Sequence, residues 1–423
     1  MDPRTPYTAA LRVATPLLFA RLLWRARRAP GYRARWGERL GYAPALPGGC
    51  IWVHAVSVGE TIAARGLIER LMHEHHDRPM LVTSTTPTGS ARVRALFGDR
   101  VHHCYLPYDV PGAVCRFLDR TQPSLGIVME TEIWPNLLAA AEQRRVPVML
   151  ANARLSARSA AGYARVPRLA AAALRRFAAI AAQTEADAAR LRTLGAPPER
   201  IAVTGSLKFD QEVSEAHRVA GRTLRAVLGT RPVWVAASTH EGEDAAVLDA
   251  HRSLRQRVTD AALVLVPRHP ERFDAVARQA QAAGFRIARR SVATQAELEP
   301  AEVIIGDTMG ELPALLAAGD LAFMGGSLVD VGGHNPLEPA ALALPVLTGP
   351  AVHNFSEIFR MLESAGAARF VSDGGTLAAA VEALFTDPQI RTDMGAAAAA
   401  VMAANRGALE RVTATATRLL RSR

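Results

Sequence analysis

Cysteine is scarce: Cys50, Cys104 and Cys115 are the only three in 423 residues, an odd count with no Cys-x-x-Cys pair. That excludes a disulfide framework and fits a reducing cytoplasm. Aromatic residues make up only 5% of the chain and no zinc-finger or RNP-type signature occurs, so the formal charge of +10 is not read as nucleic-acid binding. Lysine is nearly absent, since Lys208 stands alone among 50 Lys and Arg residues. No Asp-x-Asp pattern occurs, which argues against a metal site. Long apolar runs are missing too: near the N-terminus the longest uncharged stretch, Val13 to Ala20, falls far short of the roughly 20 residues a spanning helix needs. No small-residue cleavage site comes after it, so an export signal is not expected.

The segment beyond that short run is basic. Arg21, Arg25, Arg27, Arg28, Arg33 and Arg35 are interleaved with Trp24 and Trp36, a mixture suited to anionic headgroups. Residues 1–48 are therefore expected to associate with an anionic membrane surface without crossing it. The plainer alternative is an amphipathic helix packed on its own domain.

The composition, 49% apolar and 21% charged, is that of a globular chain, and 423 residues exceed one ordinary core. From Cys50 onward the apolar runs CIWVHAV, MLVTSTT, LGIVM, VPVMLANA, AAIAAQT and RIAVTGS alternate with helical stretches. The rhythm restarts after Asp210 with PVWVAAS, ALVLVPRH, EVIIGDT, LAFMGGS and LPVLTG. Strands alternating with helices predict α/β structure with parallel, doubly wound sheets. The expected domains are 49–210 and 211–423, joined by a linker near 208–232, with the Ala-rich tail as the terminal helix of the second. Ligands of such sheets bind beyond the carboxyl ends of the strands, here expected in a cleft between the domains.

The strand ends carry the chemistry. WVHAVSVGET puts Glu60 in the turn after the first run, where a carboxylate either complements the helix dipole or serves as a general base. METEIWPN sets Glu130 and Glu132 directly after a buried run, a poor choice for packing alone. Lys208 sits in VTGSLKFD at another strand end. In a chain that otherwise uses arginine, a compact ammonium there points to a specific task. In the second half Arg268 and His269 end a strand, poised for phosphate. IIGDTMGEL, with Met309, Gly310 and Glu311, and FMGGSLVDVGGHNPLEP, with Asn335, Pro336, Leu337 and Glu338, each run strand, glycine turn, helix. Both are expected to offer free backbone N–H groups to an anion. Glu338 is placed to accept ribose hydroxyls.

The segments HAVSVGE, ETEIWPN, NARLS, GSLKFD, PRHPERF, GDTMGEL and GGSLVDVGGHNPLEP resemble, in order, the motif series of the 3-deoxy-D-manno-octulosonic acid (Kdo) transferases. The resemblance runs from about residue 30 to residue 360. It implies a GT-B fold of two facing Rossmann-like domains, with no metal and no cofactor. It implies CMP-Kdo as donor, the lipid A precursor lipid IVA as acceptor, and the cytoplasmic face of the bacterial inner membrane as location. Glu60 would be the general base, and Glu130 and Lys208 would stabilise the transition state. Arg268, His269, Met309, Gly310, Glu311, Asn335, Pro336, Leu337 and Glu338 would hold CMP. The departure from the pattern is the N-terminal apolar anchor, interrupted here by Arg12 and Arg21. A sugar-nucleotide epimerase, a sialyltransferase-like enzyme and a two-domain solute-binding protein are the alternatives for such a two-domain chain.

Overall fold

The structure, a computed structural model, describes residues 2–210 and 213–421; the expected domain limits at Met1, Gln211 and Arg423 lie outside them. The chain forms two compact units. Unit 1 runs to Asp210 and resumes at Asn405, and unit 2 is the stretch between.

Unit 1 is built on strands β1 (Cys50–His54), β2 (Met80–Ser84), β3 (His102–Tyr105), β4 (Pro123–Met129), β5 (Val148–Ala153), β6 (Ala179–Ala182) and β7 (Ile201–Val203). They pair in parallel in the order 3-2-1-4-5-6-7. Helices cover both faces, so every residue of β1, β2, β4, β5 and β6 is buried. That is why these strands read as unbroken apolar runs rather than alternating ones. Alternation survives in which core each side chain enters: Trp52, Leu81 and Val128 join one cluster, Ile51, Val53 and Ile127 the other. Each fully buried side chain of this kind contributes roughly 1.5–3 kcal/mol. Gly126 on β4 makes room for Trp52, whose ring lies 2.8 Å from where a Cβ would stand.

Unit 2 repeats the plan with β8 (Val233–Thr239), β9 (Ala262–Pro267), β10 (Ile287–Arg289), β11 (Val303–Ile305), β12 (Leu321–Met324), β13 (Val346–Thr348) and β14 (Ala368–Phe370), all parallel in the order 10-11-9-8-12-13-14. In both sheets the first strand has its sequence neighbour on one side and a later strand on the other. Those switch points, between β1 and β4 and between β8 and β12, are where loops diverge and leave a crevice at the carboxyl edge.

Several expectations need correction. The stretch 208–232 is not an open linker but largely the helix Glu215–Leu228, whose Leu224 and Leu228 are buried. The terminal helix Ala408–Arg421 belongs to unit 1, because Ala408, Val412, Ala416 and Leu420 enter the same core as Ile51 and Leu67. Asp210 fastens it, accepting the backbone N–H groups of Gly407 and Leu409 at 2.7 Å each. At the other end of the chain, helix Arg4–Arg25 rests on unit 1. Tyr7 donates its hydroxyl to Asp109 at 3.0 Å, Thr8 bonds Asn136 at 3.0 Å, and Phe19 packs against Trp36 and Tyr108. The same helix leaves Val13 77% and Leu17 70% exposed, with Leu23 and Trp24 also outward. Among the described residues no helix is long and apolar enough to cross a membrane.

Candidate active site

Glu60 stands at the switch point of the first sheet. Ser57 caps helix Val58–Glu74 by accepting the Glu60 N–H at 3.3 Å. The carboxylate folds back, taking the Val56 N–H on Oε2 at 2.8 Å and the Ser57 hydroxyl on Oε1 at 2.9 Å. Glu60 thus sits in the first turn of the helix, where its charge complements the dipole. These two hydrogen bonds leave lone pairs over, since a carboxylate can accept about four hydrogen bonds. Burial pushes the Glu60 carboxyl up to about 7, the Val56 hydrogen bond opposes that, and the charge of Glu130 adds to it. A carboxylate titrating near neutrality is suited to taking a proton.

Glu130 comes directly after β4, on the other side of the same switch point, with φ at 56°. A left-handed glutamate costs on the order of 1–3 kcal/mol and persists where its surroundings fix it. Here the Glu130 N–H is held by Ala151 O at 2.9 Å. Lys208 Nζ lies 3.8 Å from Glu130 Oε1, and both side chains are about a quarter exposed at 23% and 24%. The lysine's turn, Leu207–Asp210, is fixed from beneath: Asn152 at the end of β5 accepts the Leu207 N–H at 3.0 Å. Three of the expected residues, Glu60, Glu130 and Lys208, thus gather at one edge of one sheet. Glu132 is close as well, its carboxyl raised by burial and by the charge of Glu130.

In unit 2 the expected residues divide into corners. Arg268 is exposed after β9, its N–H bonded to Thr239 O at 3.0 Å, and His269 begins a short turn beside it. Met309 is 67% exposed, and Gly310 has φ of 84° with open space on its Cβ side, so that loop can receive a ligand. Glu311 turns inward, accepting Thr308 Oγ1 at 2.7 Å and Arg290 Nη2 at 3.3 Å. Asn335 accepts the Leu337 N–H at 3.2 Å, Pro336 and Leu337 are buried, and Glu338 is half-buried in the first turn of Leu337–Ala340.

One expectation fails here. The glycine turn after β12 does not offer its N–H groups to an anion, because a protein carboxylate already fills it. Glu243 is wholly buried and takes Gly326 N–H at 2.6 Å, Ser327 and Leu328 N–H at 2.9 Å each, and His240 N–H at 2.8 Å. Sequence reasoning passed over this residue and over His240. His240 lies parallel to His334 with their Nε2 atoms 2.9 Å apart and meets His269 edge-on, while Asp244 pairs with Arg272 alongside. The signal lay in STHEGED, a polar stretch directly after the central apolar run PVWVAAS.

Known proteins match both the sequence and the architecture. Residues 34–211 match the family described as 3-Deoxy-D-manno-octulosonic-acid transferase (kdotransferase). A 3-deoxy-D-manno-octulosonic acid transferase of Haemophilus influenzae is 43% identical over 411 residues, 96% of each chain. The transferase of Bordetella pertussis is 42% identical, covering 96% of this chain and 97% of its own. Among solved structures, the UDP-GlcNAc 2-epimerase of Neisseria meningitidis covers 87% of this chain and 99% of its own with a TM-score of 0.58 at 16% identity, which speaks for the fold alone. With two parallel seven-stranded sheets arranged as a GT-B fold and 43% identity across 96% of its length, the chain belongs to the Kdo transferase family and is a glycosyltransferase.

Proposed function

We propose that this enzyme transfers Kdo from CMP-Kdo to the lipid A precursor lipid IVA in lipopolysaccharide biosynthesis, inverting the anomeric carbon, at the cytoplasmic face of the bacterial inner membrane. The observation that carries the chemistry is a carboxyl raised to about 7 beside an ion pair made with the chain's single lysine. Glu60 takes the proton from an acceptor hydroxyl as that oxygen attacks the anomeric carbon. Lys208, held by Glu130, and Arg268 with His269 meet the negative charge of the sugar carboxylate and of the departing phosphate. Fixed charges aimed at where charge develops are the largest catalytic contribution of most sites, so this reading needs no metal and no cofactor. CMP is held by Arg268, His269, Met309, Gly310, Glu311, Asn335, Pro336, Leu337 and Glu338.

Membrane contact falls to helix Arg4–Arg25 and the arginines beyond it. Val13, Leu17 and Trp24 face outward along one side, and Arg12, Arg21, Arg25, Arg27 and Arg28 are exposed around them. Such a helix lies in the interface of an anionic leaflet rather than through it.

The test is mass spectrometry of the lipid after incubation with CMP-Kdo and tetraacylated precursor, with CMP release measured in parallel. A lipid gaining the mass of Kdo, with stoichiometric CMP, is the expected result. CMP release with an unchanged lipid would place the activity in hydrolysis of the donor instead.

A further inference from the structure

Between Glu142 and Glu185 the chain carries eight arginines and not one acid, where its own frequency of 40 acids in 423 residues would supply about four. Two of these arginines, Arg144 and Arg176, reach acids outside the stretch, Asp119 and Glu142. Arg154, Arg158, Arg165 and Arg168 lie on the excursion that leaves the carboxyl end of β5 through helices Ala157–Tyr163 and Pro167–Leu174, and all four are exposed. Among the described residues the guanidinium groups of Arg158, Arg165 and Arg168 have no acid and no hydrogen-bond partner. Exposed arginines on other helices are met from the same helix: Arg65 by Glu69, Arg70 by Glu74, Arg222 by Glu215 and Arg252 by Asp249. Uncompensated cations set close along the chain repel one another, a cost that a bound anion removes.

The excursion is fastened to the loop that carries Glu130. Thr131, between Glu130 and Glu132, donates its hydroxyl to Arg154 O, and Tyr163 donates its hydroxyl to Thr131 O at 3.3 Å. Ala160 and Tyr163 join Ile133 and Trp134 against the core, so the first helix seats these residues inward and leaves Arg158 outside. Tyr7, on the helix assigned to the membrane, has its hydroxyl raised by burial, by Asp109 and more weakly by Tyr163, so the two elements are neighbours. The arginines therefore stand beside both the reacting edge of unit 1 and the element that meets the lipid. The cation of that edge, Lys208, is already engaged by Glu130.

We infer, resting on the reading of the acceptor as a lipid A precursor, that Arg158, Arg165 and Arg168 bind a phosphate group of that acceptor and hold its sugar at the edge where Glu60 and Glu130 stand. A phosphomonoester carries about 1.5–2 negative charges at neutral pH, and guanidinium forks meet its oxygens in pairs. No acid of the excursion competes for them. The phosphates of an anionic membrane offer the same chemistry, so the two sources have to be separated.

Kdo transfer by the full-length protein is measured in neutral detergent micelles, which remove the anionic surface, with the precursor intact and after enzymatic removal of its phosphates. Arg158→Ala, Arg165→Ala and Arg168→Ala should each raise KM for the acceptor on the order of threefold, the scale of one exposed charge contact, and the triple variant about thirtyfold. KM for CMP-Kdo and the melting temperature should stay put. Removing the phosphates should raise the wild-type KM to a similar extent and leave the triple variant nearly unmoved. A triple variant with the wild-type KM, or one that still distinguishes the two acceptors as the wild type does, overturns the inference and leaves the transfer reading intact. Sedimentation with vesicles of phosphatidylcholine and phosphatidylglycerol, free of acceptor, tests the other source. The triple variant is expected to bind them within about twofold of the wild type, and a loss there matching its loss in micelles would assign the arginines to the membrane surface instead. A wild type that transfers Kdo to neither acceptor removes the transfer reading, and the inference with it.

Discussion

Two glutamates occupy comparable places in the two units and end in opposite states. Glu60 lies in the first turn of the helix after the first strand of one sheet, and Glu243 is the last residue before the helix after the first strand of the other, both at the sheet's switch point. Glu60 receives one N–H and one O–H, stays partly exposed, and is pushed up to about 7. Glu243 receives four N–H groups from two turns and is wholly buried. Position alone therefore does not make a base. The two differ in how many acceptor sites the fold has already used, and a carboxylate with four donors has none left for chemistry.

Substituting each in turn separates the two roles. Glu60→Gln should fold and bind CMP normally but transfer Kdo at least about a hundredfold more slowly, the usual scale for a lost general base. In the wild type a base must be deprotonated, so transfer rates measured across pH should rise about tenfold per unit below about 7 and level off above it. For stability the sign is reversed. A carboxyl raised above its ordinary 4.5 favours the fold most when protonated, and that contribution is lost as pH climbs from about 4.5 through about 7. A flat rate profile across neutrality, or near-normal turnover in Glu60→Gln, would remove Glu60 from the mechanism.

The acids near these two glutamates differ in the cation they meet. Unit 2 meets its acids with arginine, in Asp244–Arg272, Asp307–Arg289 and Glu311–Arg290, whereas Glu130 is met by lysine. Lys208→Arg keeps the charge but brings a planar fork where a point charge sits. A displacement of about 1 Å at a reacting centre costs on the order of a hundredfold, so at saturating CMP-Kdo we expect a loss of tenfold or more without a change in melting temperature. Wild-type turnover in the purified variant would show the lysine to be dispensable.

Glu243→Gln should do the reverse of Glu60→Gln. Its amide nitrogen would face backbone N–H groups that need an acceptor, a cost of about 1–3 kcal/mol. The thermal transition, measured with and without CMP, is expected to fall by several degrees. An unshifted transition would mean the turns hold their shape without the carboxylate.

The sequence made some of this legible and concealed the rest for physical reasons. Central strands such as CIWVH and VWVAAST announce themselves because both faces are buried. The strands that escaped notice, β3 (HHCY), β10 (IAR) and β14 (ARF), lie at sheet edges, where partial exposure permits histidine and arginine and erases the apolar run. Glu60, Glu130 and Lys208 were legible because each falls inside a motif that carries the family resemblance, HAVSVGE, ETEIWPN and GSLKFD. Glu243 was not, because three of its donors come from Gly326, Ser327 and Leu328, more than eighty positions away. Local spacing cannot reveal such a convergence. His240 and His334, separated by 94 positions, were hidden for the same reason.

The return of helix Ala408–Arg421 to unit 1 bears on how the molecule comes into being. Unit 2 is continuous in the chain, so everything its core requires has been synthesised by Ala404. Unit 1 begins first but waits for Ala408, Val412, Ala416 and Leu420 to close its interior. On the ribosome the half that carries Glu60 is thus the first to start and the last to finish. An apolar face built from Ile51, Leu67 and Ile68 must be shielded in the meantime, while nearly two hundred residues pass through the exit tunnel.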